Sequence, residues 1–371
     1  MKKEKFFQMI YLLFMMVVGG VAGAAIVKYV EKLGGDFIGS LLYALFCFYL
    51  AFFLTVVIHE GGHLVMGLKT GYQFLSFRIG SLTLVKQDGR YAFKKFNIAG
   101  TGGQCLLMPP PSDDPLQVPF VLYHLGGGLF NLLTAVIFLP LGLWTDFFYL
   151  KILFVLLGAI SAYMGVLNLL PVKIPVATDG YNILNMLRHP LEREALYKQL
   201  RINGLMYEGA TPAEIPAELY EFGGETGGIY EGMEKLLKAS VCIEKREFEQ
   251  AQKLLEEYLE GPNLLTIYRL EANCELLFCK IMNGASDDEI EKLYDKELKS
   301  YVKTAGKTQI SKKRLLYAYD LLYKKDETAA EKEYAAAMKM KNTYPNVGEL
   351  KSELTLIDYI RNLQGTERRT A

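Results

Sequence analysis

The chain carries no net charge: 41 basic residues balance 41 acidic ones over 371 positions. It therefore has no basic field to gather nucleic acid and no acidic excess to act as a solvating tail. Cysteine is sparse too. Cys47, Cys105, Cys242, Cys274 and Cys279 are odd in number, and no spacing among them suits a disulfide framework or a zinc ribbon. Free thiols buried in helices or membrane segments are expected. Histidine is rarer still, with four residues, and two of those stand one helical turn apart.

What the chain has in quantity is apolar sequence, unevenly placed. The first half is rich in Phe, Leu and Gly; from about Leu187 onward Lys, Glu, Ala, Leu and Tyr dominate. Four stretches are long enough to span a bilayer: Met9–Val30, Phe37–Met66, Val118–Trp144 and Phe147–Leu170. The first follows a basic start, and its apolar run from Phe6 to Val27 is longer than a signal-peptide core. A retained anchor is expected, although the small residues of "GVAGAA" leave cleavage open. The second stretch exceeds bilayer thickness, so one end must emerge or tilt. Only Thr145–Asp146 separates the last two, which makes them antiparallel neighbours. Lys2, Lys3 and Lys5 place the N-terminus in the cytoplasm, and the basic segment Lys69–Pro119 falls on the same side. The C-terminal part returns there.

Between the second and third spans, "YQFLSFRIGSLTLVKQDGRYAFKKF" alternates apolar and polar residues around Asp88–Gly89, a hairpin turn signal. A membrane-proximal β-hairpin over 72–98 is expected, with a strand edge that an extended substrate could join. The following "GTGGQCLLMPPPSDDP" reads as a loop with no regular element. Beyond residue 187 the chain reads as successive helices. Phe248, Ala251, Leu255 and Tyr258, with Pro262 as a stop, look like the second helix of a tetratricopeptide repeat. An array of helical hairpins and an unrelated helical bundle both fit this half.

The chemistry lies in "VVIHEGGHLVMG", Val56–Gly67, at the end of the second span. Ionisable side chains are costly in lipid and call for a compensating function. His59 and His63, at i and i+4, share a helix face and can place imidazole nitrogens on one metal ion. Glu60, about 100° round the helix, is free to handle protons at the ion without ligating it. Zinc held by two histidines and one further ligand keeps a position open for water. The third ligand should come from another span and end on the same side. By topology that points to Asp179 in "VATDG", although Asp-Gly alone is ordinary turn chemistry.

These features resemble the site-2 protease family of intramembrane zinc metalloproteases. "HEGGH" within an apolar segment, the glycine-rich "LGGGLFNLLTA", and "NLLPVKIPVATDG" occur in the family's order across three spans, covering about Phe37 to Asn182. The resemblance implies His59, His63 and Asp179 as zinc ligands and Glu60 as the catalytic acid/base. It implies Asn131 as the residue that orients the scissile backbone or stabilises the oxyanion; a helix-packing role also suits Asn131 beside Gly126–Gly128. His124 reads as packing or gating, and His189 as surface. Two departures stand out: Thr178 occupies the place of the family's leucine, and a few residues are inserted after Pro171. Both outer loops are short, so no PDZ domain selects substrate.

The expected protein is thus a polytopic α-helical membrane protein with about four transmembrane helices and a membrane-proximal β-hairpin, followed by an all-α soluble domain. Its expected domains are an anchor over 1–36, a metalloprotease core over 37–186 and a cytoplasmic helical domain over 187–371. Expected partners are one Zn²⁺ per chain, a transmembrane protein or peptide substrate, the lipid bilayer of a cell membrane (a bacterial cytoplasmic membrane fits), and a cytoplasmic protein on the helical domain. Two competing classes are an inactive membrane scaffold, which should have lost a ligand or the glutamate, and a transporter, which predicts more spans and inverted repeats.

Overall fold

The computed structural model describes residues 37–370 except 88, 97–101, 175, 223–228, 262, 263 and 265. The expected N-terminal anchor lies outside the described residues. The chain forms two compact units. One comprises Met1–Phe74, Gly102–Pro110 and Gln117–His189; the other comprises Leu75–Thr101, Pro111–Leu116 and Pro190–Ala371.

The first unit is built on three helices long and apolar enough to cross a membrane: α1 (Phe37–Lys69), α2 (Val121–Trp144) and α3 (Phe148–Leu169). Their outward faces carry exposed Phe46, Tyr49, Val136, Leu143 and Trp144, as expected where lipid is the solvent. The 33 residues of α1 rise about 50 Å, well beyond a hydrocarbon core of about 30 Å. "HEGGH" lies in its last third, towards Lys69.

In lipid no hydrophobic force draws helices together, so close packing of small residues must do it. Here several glycines each have a specific neighbour. A Cβ on Gly62 would come within 2.2 Å of the Gly126 carbonyl oxygen, and one on Gly126 within 2.3 Å of the Gly62 carbonyl oxygen. The backbones of α1 and α2 therefore touch at this crossing. Gly128 gives the same access to Leu169 of α3. A buried hydrogen bond between Thr55 and Ser161, 3.0 Å, ties α1 to α3.

Helix α3 ends just before Pro171, which cannot continue it. The residues inserted after Pro171 form a two-strand clip, β5 (Lys173–Ile174) against β6 (Val176–Ala177). Thr178 closes the clip. Its hydroxyl lies 2.5 Å from the Leu170 carbonyl and 3.0 Å from that of Val172, and it caps the Tyr181 N–H at the start of α4 (Asp179–Arg188).

The segment read as an irregular loop contains a strand, β4 (Gly103–Met108). The glycines and prolines that argued for a loop sit at its two ends. The "QCLLM" between them is a short apolar run that buries Cys105, Leu107 and Met108. It packs on α1, where Gly67 makes room for Leu107: a Cβ there would meet Leu107 Cδ1 at 2.2 Å.

In the second unit the expected hairpin is a three-stranded antiparallel meander of β1 (Gln73–Ile79), β2 (Leu82–Gln87) and β3 (Arg90–Lys95). Its registers include Phe77↔Leu84 and Leu84↔Phe93. The additional turn falls at Gly80, whose φ of +58° suits glycine, as the +74° at Gly89 does for the second turn. The meander is joined to the helical part: Lys94 Nζ donates to the Tyr344 carbonyl at 2.7 Å and Gln87 to that of Pro345 at 2.9 Å.

That part is a succession of helices: α5 (Pro190–Tyr207), α6 (Ile229–Glu244), α7 (Phe248–Leu259), α8 (Thr266–Met282), α9 (Asp287–Leu293), α10 (Lys296–Ala305), α11 (Ile310–Ala318), α12 (Glu327–Met340) and α13 (Val347–Thr370). Phe248, Ala251, Leu255 and Tyr258 form the buried face of α7, as their helical spacing requires. All five cysteines are free and buried.

The core of this unit also holds charge. Lys312 pairs with Glu271 at 2.6 Å, while Arg314 pairs with Glu353 at 2.6 Å and with Glu275. Nearby, Glu349 accepts a hydrogen bond from Tyr344 at 2.7 Å. Burial pushes the Glu349 pKa up to about 7, so the folded state holds a proton that the unfolded chain releases at lower pH. Its stabilising share is complete below the unfolded carboxylate pKa and is lost as pH rises through about 7. The melting temperature of the full chain in detergent should therefore fall between pH 5 and pH 8, and Glu349→Gln should flatten that slope.

Candidate metal centre

The site belongs wholly to the first unit. Helix α1 supplies His59, Glu60 and His63; α2 supplies Tyr123, His124, Gly127 and Asn131; α4 supplies Asp179. The residues singled out by spacing and topology meet here. His59 Nε2 lies 3.1 Å from His63 Nε2, and Asp179 Oδ2 lies 3.5 Å and 3.4 Å from them. A tetrahedral ion bound at about 2.0–2.2 Å needs donors about 3.3–3.6 Å apart, and the three observed separations sit close to that range.

The donor chemistry agrees with the spacing. His63 Nδ1 is 2.8 Å from the Tyr123 carbonyl. A carbonyl only accepts, so Nδ1 carries the proton and the neutral ring turns its Nε2 lone pair inward. His59 Nδ1 is 3.2 Å from the Asn131 side-chain nitrogen, while Asn131 Oδ1 is buried without a hydrogen-bond partner. Exchanging the two ends of that amide lets Oδ1 accept from His59 Nδ1–H, which frees the second Nε2 lone pair as well. Two lone pairs and a carboxylate oxygen then converge, an arrangement that repels itself until a cation sits between them. The residues present fit a zinc ion.

Several glycines make the convergence possible. A Cβ on Gly127 would lie 2.5 Å from both His59 Cε1 and His63 Nε2. Only a hydrogen at that position lets both imidazoles stand between α1 and α2. Gly180 gives similar access on the other side: a Cβ would sit 2.1 Å from the Leu169 carbonyl, so the backbone just after Asp179 lies close against the end of α3. Gly61 differs, since a methyl there would meet nothing within 4 Å.

Glu60 is partly exposed and lies within electrostatic reach of His63, His59 and Asp179. It rests against β4, where a Cβ on Gly103 would come 2.8 Å from its carboxylate oxygen and the Cys105 backbone N–H faces it. Asn131 is fully enclosed, and its side-chain amide meets His59. His189 is exposed and away from the cluster.

Sequence reasoning gave His124 only packing or gating, yet its Nδ1 is 3.7 Å from Asp179 Oδ1. A signal was present: His124, Gly127 and Asn131 are spaced i, i+3, i+7 and share one helix face. The Tyr123 carbonyl, a backbone group, leaves no such mark.

Comparison with protein-family models, with curated proteins and with solved structures finds no match for this chain.

Proposed function

We propose that the chain is an intramembrane metalloendopeptidase resembling the site-2 proteases, hydrolysing peptide bonds in or near the transmembrane segments of membrane-anchored proteins or peptides. One observation carries this reading: His59, His63 and Asp179 present their donor atoms within 4.8 Å of one another, with a non-ligand glutamate beside them on a membrane-length helix. A bound zinc ion would supply Lewis acidity, acidifying water and polarising the peptide carbonyl. Glu60 would take the proton from the attacking water and pass it to the departing amine. Asn131 would hold the His59 ring, and the Tyr123 carbonyl the His63 ring, so that neither swings away during turnover.

A substrate helix must unwind before its backbone reaches the site. Strand β4, which rests against Glu60 beside the cluster, would be the element that an extended substrate segment joins. The helical domain, with its tetratricopeptide-like α6–α7 hairpin, would bind a cytoplasmic protein, and both termini would lie in the cytoplasm.

Purified protein in detergent is the test. It should contain about one zinc per chain and cut a single-span substrate, and a chelator should abolish cutting until zinc is returned. Wild-type protein that neither holds zinc nor takes it up would overturn the proposal. A scaffold role is the second reading, and the intact ligand set and Glu60 speak against it.

A further inference from the structure

We infer that His124 is a positioning residue that sets how Asp179 meets the metal; this rests on the metal-site reading above. Asp179 Oδ2 faces both ligand imidazoles, at 3.5 and 3.4 Å. Its Oδ1 lies 3.7 Å from His124 Nδ1. The torsion that exchanges the two oxygens is broad and roughly two-fold, so nothing in an aspartate's own geometry keeps one oxygen inward. A partner on Oδ1 does. With its Nδ1 protonated, His124 would draw that oxygen toward itself, leave Oδ2 to face a bound ion, and so keep the carboxylate from ligating through both oxygens. A carboxylate that chelates would occupy the open position that water requires.

His124 is well placed for this. It is buried, in the first turn of α2, where the preceding residue's carbonyl already fixes His63. One turn of backbone thus orients two ligands on different helices. Asp179 has particular need of such a partner. It stands at the first position of a ten-residue helix that follows an inserted clip, whereas His59 and His63 stand within a 33-residue helix. Thr178 anchors the clip through backbone contacts, and those contacts leave the carboxylate torsion unset. The direction of the carboxylate is left to His124.

The experiment compares full-length wild type, His124→Ala, His124→Asn and His63→Ala in detergent. Zinc affinity is read by competition with a chromophoric chelator, and the coordination sphere by the visible spectrum of the cobalt(II)-loaded protein. A thermal melt of each zinc-free sample shows whether it is folded. Outer partners of metal ligands typically contribute 10–100-fold in affinity. His124→Ala should therefore bind zinc about 10–100-fold more weakly and shift the cobalt bands. His124→Asn keeps an N–H donor near the Nδ1 position and should recover most of both. Wild-type affinity and an unchanged spectrum in folded His124→Ala would overturn the inference while leaving the metal site standing. Equal, negligible binding by wild type and His63→Ala would overturn the metal site, and this inference with it. Should His124→Ala fail to fold, the Asn variant decides: a wild-type spectrum supports the inference, and a large loss of affinity in a folded sample overturns it.

Discussion

Glu60→Gln should abolish peptide-bond hydrolysis while zinc stays bound. The substitution keeps the size and shape of the side chain, so the packing against Gly103 and β4 is preserved. It removes a carboxylate that lies beside the His59–His63–Asp179 cluster without belonging to it. General acid–base groups typically contribute about 10²- to 10⁴-fold to rate. Cleavage of a single-span substrate should fall by about that factor, and zinc content should remain near one per chain. Equal cleavage by the two proteins would remove Glu60 from the mechanism. Loss of zinc together with activity would instead make Glu60 a ligand, against its position on the helix.

Gly127→Ala should empty the metal site without touching a ligand. The added methyl would stand 2.5 Å from both His59 Cε1 and His63 Nε2, well inside contact distance. The obstacle is shared by two rings that packing already confines, so at least one must turn away. Losing a partner that merely orients a ligand typically costs about 10–100-fold in metal affinity, so turning a ligand away should cost at least about that much, with cleavage following. Gly61→Ala is the matched control on α1. Its methyl would meet nothing within 4 Å, and alanine suits a helix better than glycine by up to about 1 kcal/mol. It should bind zinc as wild type does. Unchanged affinity in Gly127→Ala would mean the two helices separate freely, contrary to the Gly62–Gly126 backbone contact.

Much of the site was legible because its chemistry is encoded locally. His59, Glu60 and His63 lie within little more than one helical turn, and helical periodicity alone says which two share a face. The membrane helices were legible for the same reason, since length and apolar composition are properties of a continuous segment. Strand β4 was not. Its short apolar run is bracketed by glycine and proline, and it packs against a partner remote in sequence, α1, where Gly67 makes room for Leu107 and Glu60 lies against Gly103. The third strand of the meander was hidden likewise, with its turn marked by a single glycine at position 80.

By itself the sequence determined two histidines and a glutamate grouped on one helix, the apolar segments long enough to cross a membrane, and the change to a helical domain near residue 187. Each follows from neighbours along the chain. Only the tertiary structure decided that Asp179 turns its Oδ2 to both imidazoles, that Asn131 meets His59 and not open space, and that His124 stands at the other carboxylate oxygen. It also gave separate work to glycines that look alike in "HEGGH" and "LGGG". The physical reason is common to these cases. What a side chain is depends on the residue; what it faces depends on a backbone brought close from far along the chain, and that approach is set by packing across helices.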